Sequence, residues 1–194
     1  MILNILKKNN LELIQIDEFY TKSELTKVNK EVKELYKFRK GDEIGTLKAA
    51  NDGTKSLKSG TGIDVYDLYG KQANQSHIIL YSKKIFNPKL LESLISNNIN
   101  YRHILNSSSD TLLLNYYSEA QEYKSHFDYS TFTIIVMLKI GNFTGGELFF
   151  KDNDMQIDFK ENRAVILPGC AYHEAKPIYG NGIRATVAHF IRYI

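Results

Sequence analysis

The chain has 194 residues, 43% of them apolar and 24% charged, with 13 tyrosines, no tryptophan and a formal charge of +3. That length and composition suit one soluble domain with a sizeable core. The mild basicity admits an anionic ligand but falls short of the footprint of a dedicated nucleic-acid binder.

Met1 to Leu6, followed by Lys7-Lys8, lacks the layout of a secretory signal. No apolar run approaches membrane-spanning length. Leu11 to Ile16 alternates apolar and polar residues and reads as a strand. Thr21 with Glu24 forms a capping box, and Leu25, Val28, Val32, Leu35 and Tyr36 recur at helical spacing, predicting an amphipathic helix over 22–38. Its lysines, interleaved with Glu24, Glu31 and Glu34, read as a solvated face. Residues 39–62 carry five glycines and little apolar periodicity. A loop this long inside a compact domain is uncommon, and two readings stand: a mobile lid or substrate-binding loop, or a plain disordered surface excursion.

Asp64 to Tyr69 opens a second helical region, and Asn87-Pro88 starts a helix running to about Asn97. From residue 101 the pattern turns to short strands: 101–105, 111–117, 121–128, 131–140, 146–151, 155–159, 163–167, 171–178 and 183–193. Turn residues separate them, as at Gly141-Asn142, Asp152-Asn153-Asp154 and Gly180-Asn181-Gly182. Helices followed by strands predict an α+β protein, with a sandwich or jelly roll in the C-terminal half. A single domain over 1–194 is expected, with 1–100 giving helical support and a loop region and 101–194 the core. The lone cysteine, Cys170, cannot form an intrachain disulfide, is expected to be buried and inert, and fits a reducing, cytoplasmic setting.

Chemistry concentrates between Tyr116 and Asp128. In an extended strand His126 and Asp128 share a face, so an imidazole nitrogen and a carboxylate oxygen can take adjacent corners of a metal shell. A third ligand on a neighbouring strand would complete a facial triad with open positions. Of the other histidines, His173 follows the strand-ending Pro168-Gly169 and could return beside the first strand. His189 competes from within the last strand, whose Arg184, Thr186, Ala188 and Phe190 form the opposite face. His77 and His103 read as structural or exposed.

His126-x-Asp128, a distal His173 and Arg184 eleven residues later resemble the iron(II)- and 2-oxoglutarate-dependent dioxygenases, and within them the prolyl 4-hydroxylase branch. Tyr123, Gly145-Gly146-Glu147-Leu148 and Arg163-Ala164-Val165-Ile166-Leu167-Pro168 fall in order with that pattern. Gly62-Ile63-Asp64-Val65-Tyr66 and Ile85-Phe86-Asn87-Pro88 are similar to viral and bacterial members. The resemblance implies a double-stranded β-helix (a cupin-like jelly roll) with the N-terminal helices packed on one sheet. It implies Fe(II) on His126, Asp128 and His173, with 2-oxoglutarate and O2 as cosubstrates and ascorbate as a reductant. Arg184 would bind the far carboxylate of 2-oxoglutarate, helped by Thr186. Tyr116 or Tyr117 would contact the cosubstrate, and Tyr123 would line the pocket. The family's glycines between these tyrosines are replaced by Glu119 and Ala120.

The activity so implied is hydroxylation of a C–H bond with release of succinate and CO2, on a peptide or protein substrate and most naturally a peptidyl proline. Two alternatives stand beside it. One is the same chemistry on a nucleic-acid base or free metabolite; the other is a cupin-like protein that binds metal without catalysis.

Overall fold

The computed structural model describes residues 1–41, 50–51, 53 and 55–193. Strands β1 (Ile2–Lys8) and β2 (Leu11–Asp17) form a hairpin. Helix α1 (Lys22–Leu35) follows, with the Thr21/Glu24 capping box in place, and a 3-10 turn carries the chain to Phe38. After β3 (Lys40–Gly41) come β4 (Thr61–Asp64) and the helices α2 (Val65–Tyr69), α3 (His77–Ser82), α4 (Pro88–Asn97) and α5 (Arg102–Leu105). The rest is β: β5 (Ser109–Tyr117), β6 (Tyr123–His126), β7 (Phe132–Ile140), β8 (Thr144–Gly145), β9 (Leu148–Phe150), β10 (Met155–Ile157), β11 (Arg163–Pro168), β12 (His173–Ala175), β13 (Ile178–Tyr179) and β14 (Ile183–Arg192).

A large sheet runs β1-β2-β11-β7-β14-β5-β4-β3, a smaller one β10-β9-β12-β6, and β8 pairs with β13. This is the double-stranded β-helix of a jelly roll, with helices on one face. Period-two alternation builds it. Ile134, Val136, Leu114 and Val187 turn one way and bury with Val28, Val32, Ile78 and Leu91 of the helices. Their neighbours Ile135 and Met137 turn inward, packing with Leu148, Phe150 and Ile157 of the small sheet. The large sheet thus has two apolar faces, which fits the near-continuous apolar run of β7.

Four expectations are corrected. Residues 101–105 are helical rather than a strand. The Asn98 side chain accepts from the Asn100 amide to start a turn, and Tyr101 and Ile104 bury at helical spacing. The expected strand at 171–178 is broken into β12 and β13, separated by Lys176-Pro177, where proline cannot donate to a ladder. Glu31 is buried, not solvated: its carboxylate accepts from the Tyr69 and Ser76 hydroxyls and from the His77 and Ile78 amides at the start of α3. Cys170 is exposed. Strand β1 has no counterpart among the predicted elements; with β2 it extends one edge of the large sheet.

Of the lid or surface excursion read over 39–62, positions 42–49, 52 and 54 lie outside the described residues. Residues 57–64 straddle the two sheets. The Lys124 amide donates to the Leu57 carbonyl (2.9 Å) and the Ser59 amide to the Glu122 carbonyl (3.0 Å), on the small-sheet side. Two residues after Ser59, β4 pairs with β5 of the large sheet. No helix among the described residues is long and apolar enough to cross a membrane.

Candidate metal centre

Antiparallel pairing of β12 with β6 sets His173 directly opposite His126, with ring centroids 4.4 Å apart. The Nδ1 of His126 lies 2.8 Å from the Lys124 carbonyl, and that of His173 lies 2.9 Å from the Ala171 carbonyl. A carbonyl can only accept, so each Nδ1 carries the proton and each Nε2 presents a lone pair. Those nitrogens stand 3.8 and 3.7 Å from the two Asp128 carboxylate oxygens. One ligand atom from each of the three residues falls within 4.8 Å of the others. Asp128 lies just beyond the end of β6, where its amide donates to the Gly169 carbonyl at 2.8 Å.

Supporting contacts hold this geometry. The Tyr123 ring stacks on His126 with centroids 3.5 Å apart. The Thr133 hydroxyl donates to Asp128 Oδ2 at 2.7 Å, and the Ser130 hydroxyl lies 2.8 Å from that of Thr133. Burial, reinforced by His173 and by the Lys58 charge, pulls the His126 imidazole down to about 3. It is therefore neutral near pH 7, the state a metal requires.

The cluster opens into a cavity of about 210 Å³ between the sheets. At one end is Arg184, only 2% exposed. Its Nη1 donates to the Lys176 carbonyl at 2.8 Å, while Nε and Nη2 are buried without hydrogen-bond partners. The guanidinium lies over the Tyr117 ring, 4.1 Å from its centroid. Burial lowers its proton affinity and the Tyr117 phenol offsets that; an arginine stays charged regardless. Gly146 makes room for it: its φ is +80°, and a Cβ there would meet Ile178 Cγ2 at 2.9 Å and Arg184 Cδ at 3.2 Å.

Tyr117, Tyr123, Thr186 and Arg184 all line the cavity with the triad. Tyr116 does not, which corrects its candidacy for cosubstrate contact. It sits on the helical face of β5, where its hydroxyl donates to the Val32 carbonyl at 2.7 Å. His189 is also excluded, being buried on that face with Nε2 2.7 Å from Asp110 Oδ2. His77 stacks on Tyr81, and His103 is exposed.

Several cavity residues had escaped the sequence reading: Lys58, Asn115, Thr133 and an aromatic ledge. In that ledge Phe127 and Tyr129 line the cavity with ring centroids 5.0 Å apart, Tyr172 packs on Phe127 at 5.4 Å without lining the cavity, and Tyr129 is 84% exposed. Asn115 had a usable signal, since it shares Tyr117's face two residues away in an otherwise apolar run. Lys58 had none.

Two imidazoles and a carboxylate with open space before them, on a double-stranded β-helix, could hold a metal ion and have the donor set of a facial triad. Residues 112–192 match the family model described as the 2OG-Fe(II) oxygenase superfamily, and it is this superfamily that the strand-bearing part of the chain resembles. No curated protein matches it in sequence. Among solved structures, a prolyl hydroxylase from Trichoplax adhaerens, in complex with a hypoxia-inducible-factor oxygen-degradation-domain peptide, is similar at 18% identity and a TM-score of 0.64. That match covers 93% of this chain and 83% of the other. A Pseudomonas putida prolyl-4-hydroxylase is similar at 15% identity and a TM-score of 0.59, covering 94% and 92%. NgTET1, in complex with 5mC DNA, is similar at 12% identity and a TM-score of 0.58, covering 93% and 72%. At these identities the likeness is one of fold.

Proposed function

We propose that the chain is an Fe(II)- and 2-oxoglutarate-dependent dioxygenase that hydroxylates a C–H bond, with a peptidyl proline as the favoured substrate. The observation that carries it is one cavity holding both the His126/Asp128/His173 cluster and a buried Arg184 with two unpaired nitrogens. The donor set suits Fe(II) with open positions, and the unpaired nitrogens suit a carboxylate. Fe(II) with 2-oxoglutarate and O2 supplies, when bound, the oxidising power to insert one oxygen atom, with release of succinate and CO2.

The chain's own residues do the rest. His126, His173 and Asp128 hold the metal from one side, with their orientations locked by the Lys124 and Ala171 carbonyls and the Thr133 hydroxyl. Arg184 Nε and Nη2 receive the far carboxylate, beside Thr186 and Tyr117. Leu113, Ile135, Met137 and Ala188 wall the cavity and keep water from the reacting centre.

The ledge of Phe127, Tyr129 and Tyr172 supports a flat or ring-bearing substrate. A prolyl ring in an extended peptide fits it, in keeping with the peptide held by the Trichoplax protein. A nucleic-acid base fits the same ledge, which gives the second reading its one specific support, in keeping with the DNA held by NgTET1.

The test is to incubate the protein with iron, ascorbate, O2 and 2-oxoglutarate and offer proline-rich peptides, oligonucleotides and free amino acids in parallel. The expected result is a peptide heavier by one oxygen, with matching succinate, both lost in His126→Ala. Oxygen found on the oligonucleotide would establish the second reading. Succinate no higher than in His126→Ala across all substrates would sink the enzyme in favour of a metal-binding protein.

A further inference from the structure

Strand pairing fixes where the charged groups of the cavity stand. Arg184 is opposite Tyr117. Two rungs along β14, Ala188 is opposite Leu113 on one side and Ile135 on the other, and Leu113 is opposite Asp64 of β4. All of these line the cavity. One rung further, Phe190 is opposite Thr111 and Thr133, and Thr133 holds Asp128 of the cluster. Asp64 is therefore one rung from the cluster's support and three strands to its side, about 14 Å at the usual strand spacing. There β4 ends and α2 begins, with Asp64 as its N-cap and the exposed Asp67 in its first turn, also lining the cavity.

The same cavity receives Arg184, 2% exposed and with two nitrogens unpartnered, which marks its own end for an anion. The other charges have counterparts. Asp128 belongs to the cluster, and Glu147 lies within electrostatic reach of Arg184. Lys58 donates to Asn115, and Arg192 to the Tyr129 carbonyl and the Thr111 hydroxyl. Asp64 Oδ1 accepts from the Asp67 amide at 3.1 Å, and among the described residues neither carboxylate is ion-paired. Two such carboxylates repel a phosphodiester backbone and attract an ammonium or guanidinium. Beside the rings of Phe127 and Tyr129, that charge favours a basic peptide over a nucleic acid.

We infer that Asp64 and Asp67 form a subsite for a basic side chain of the substrate, a lysyl or arginyl residue about two to four positions of extended chain from the residue hydroxylated. The inference rests on the peptide reading of the site and names the class of peptide it takes. The cluster and Arg184 define the reaction, while the two carboxylates at the start of α2 select what undergoes it.

The experiment is a competition. Three alanine-based host peptides, each with one central proline, carry lysine, alanine or glutamate at the second to fourth positions on both sides of it. They are mixed at equal concentration and incubated with the protein, iron, ascorbate, O2 and 2-oxoglutarate, and mass spectrometry reads the oxygen gained by each. That ratio is the ratio of kcat/KM values. The lysine peptide is expected to lead the glutamate peptide by about tenfold and the alanine peptide by about threefold, the scale of partly exposed ion pairs. In Asp64→Asn/Asp67→Asn, where asparagine still caps α2, the three should fall within about twofold of one another. Asp67→Lys should favour the glutamate peptide. Binding of the dye-labelled lysine peptide to protein loaded with Mn(II) and 2-oxoglutarate, read by anisotropy, should weaken in both variants and on adding salt. If the double variant does not fold, Asp67→Lys, at an exposed position, carries the test alone. Equal hydroxylation of the three peptides by wild type, or a lysine preference retained in a folded variant, overturns the subsite and leaves peptide hydroxylation standing. No peptide hydroxylated, or oxygen placed on an oligonucleotide instead, overturns the peptide reading and the subsite with it.

Discussion

The Thr133 hydroxyl donates to Asp128 Oδ2 across 2.7 Å, from a side chain with no exposure to solvent. That bond holds the carboxylate at a fixed angle to the two imidazoles. Thr133→Val keeps the shape and removes the donor. Metal affinity, measured by competition with a chromogenic chelator, should fall by roughly 10- to 100-fold, with the fold intact by circular dichroism. An unchanged affinity would mean that backbone position alone orients Asp128.

Tyr116 and Tyr117 are adjacent and face opposite sides of β5, so one substitution at each should give opposite phenotypes. Tyr116→Phe loses the bond to the Val32 carbonyl and should cost about 1 kcal/mol of stability in urea melts, without altering 2-oxoglutarate binding. Tyr117→Phe removes the phenol beside the Arg184 guanidinium and should weaken 2-oxoglutarate while leaving the melt nearly unchanged. The reverse pattern would show the register of β5 to be wrong.

Gly146→Ala puts a methyl group where Ile178 and Arg184 already sit, at a φ of +80°. Destabilisation of about 1–3 kcal/mol is expected from strain and overpacking. Arg184 must also shift, so the apparent KM for 2-oxoglutarate should rise. A variant with wild-type stability and KM would show slack at that turn which the contact distances deny.

Asp17, at the end of β2, is gripped by Arg163 and Lys160 and its carboxyl is pulled from 3.8 down to about 2, chiefly by the Arg163 hydrogen bond. A depressed carboxylate stabilises the fold above its unfolded value and loses that contribution as pH falls through the folded one. Asp17 should therefore contribute about 2 kcal/mol at neutral pH, fading between pH 4 and pH 2, roughly. Asp17→Asn should lower stability at pH 7 and flatten the acid limb of the stability curve. Parallel curves for the two proteins would refute the linkage.

His126, Asp128, His173 and Arg184 were legible because each is marked by residue type and short-range spacing. The strand cores were legible for the same reason, since alternation is local. Parity was not: whether Tyr116 or Tyr117 faces the cavity turns on a register that a one-residue slip reverses. The helical turn at 101–105 reads as a strand because Tyr, Ile and Leu suit either state, and the burial of Tyr101 and Ile104 decides it. Glu31 looked like one more solvated acid until α3 folded its first turn onto it. Lys58 lies 57 residues before Asn115, and no local pattern announces a partnership of that range.

Residues 57–64 hydrogen-bond to the small sheet at one end and to the large sheet at the other, and Lys58 and Asp64 line the cavity. They tie the two sheets together, as does the Asp128 amide on the Gly169 carbonyl beside the cluster. Gly60 lies at the crossing, where any Cβ would come within 2.7 Å of the Tyr116 carbonyl and the Tyr117 ring. Because Lys58 is bridged to Tyr123, whose ring stacks on His126, a change in the length or bulk of this stretch would reach the cavity wall and the metal cluster together.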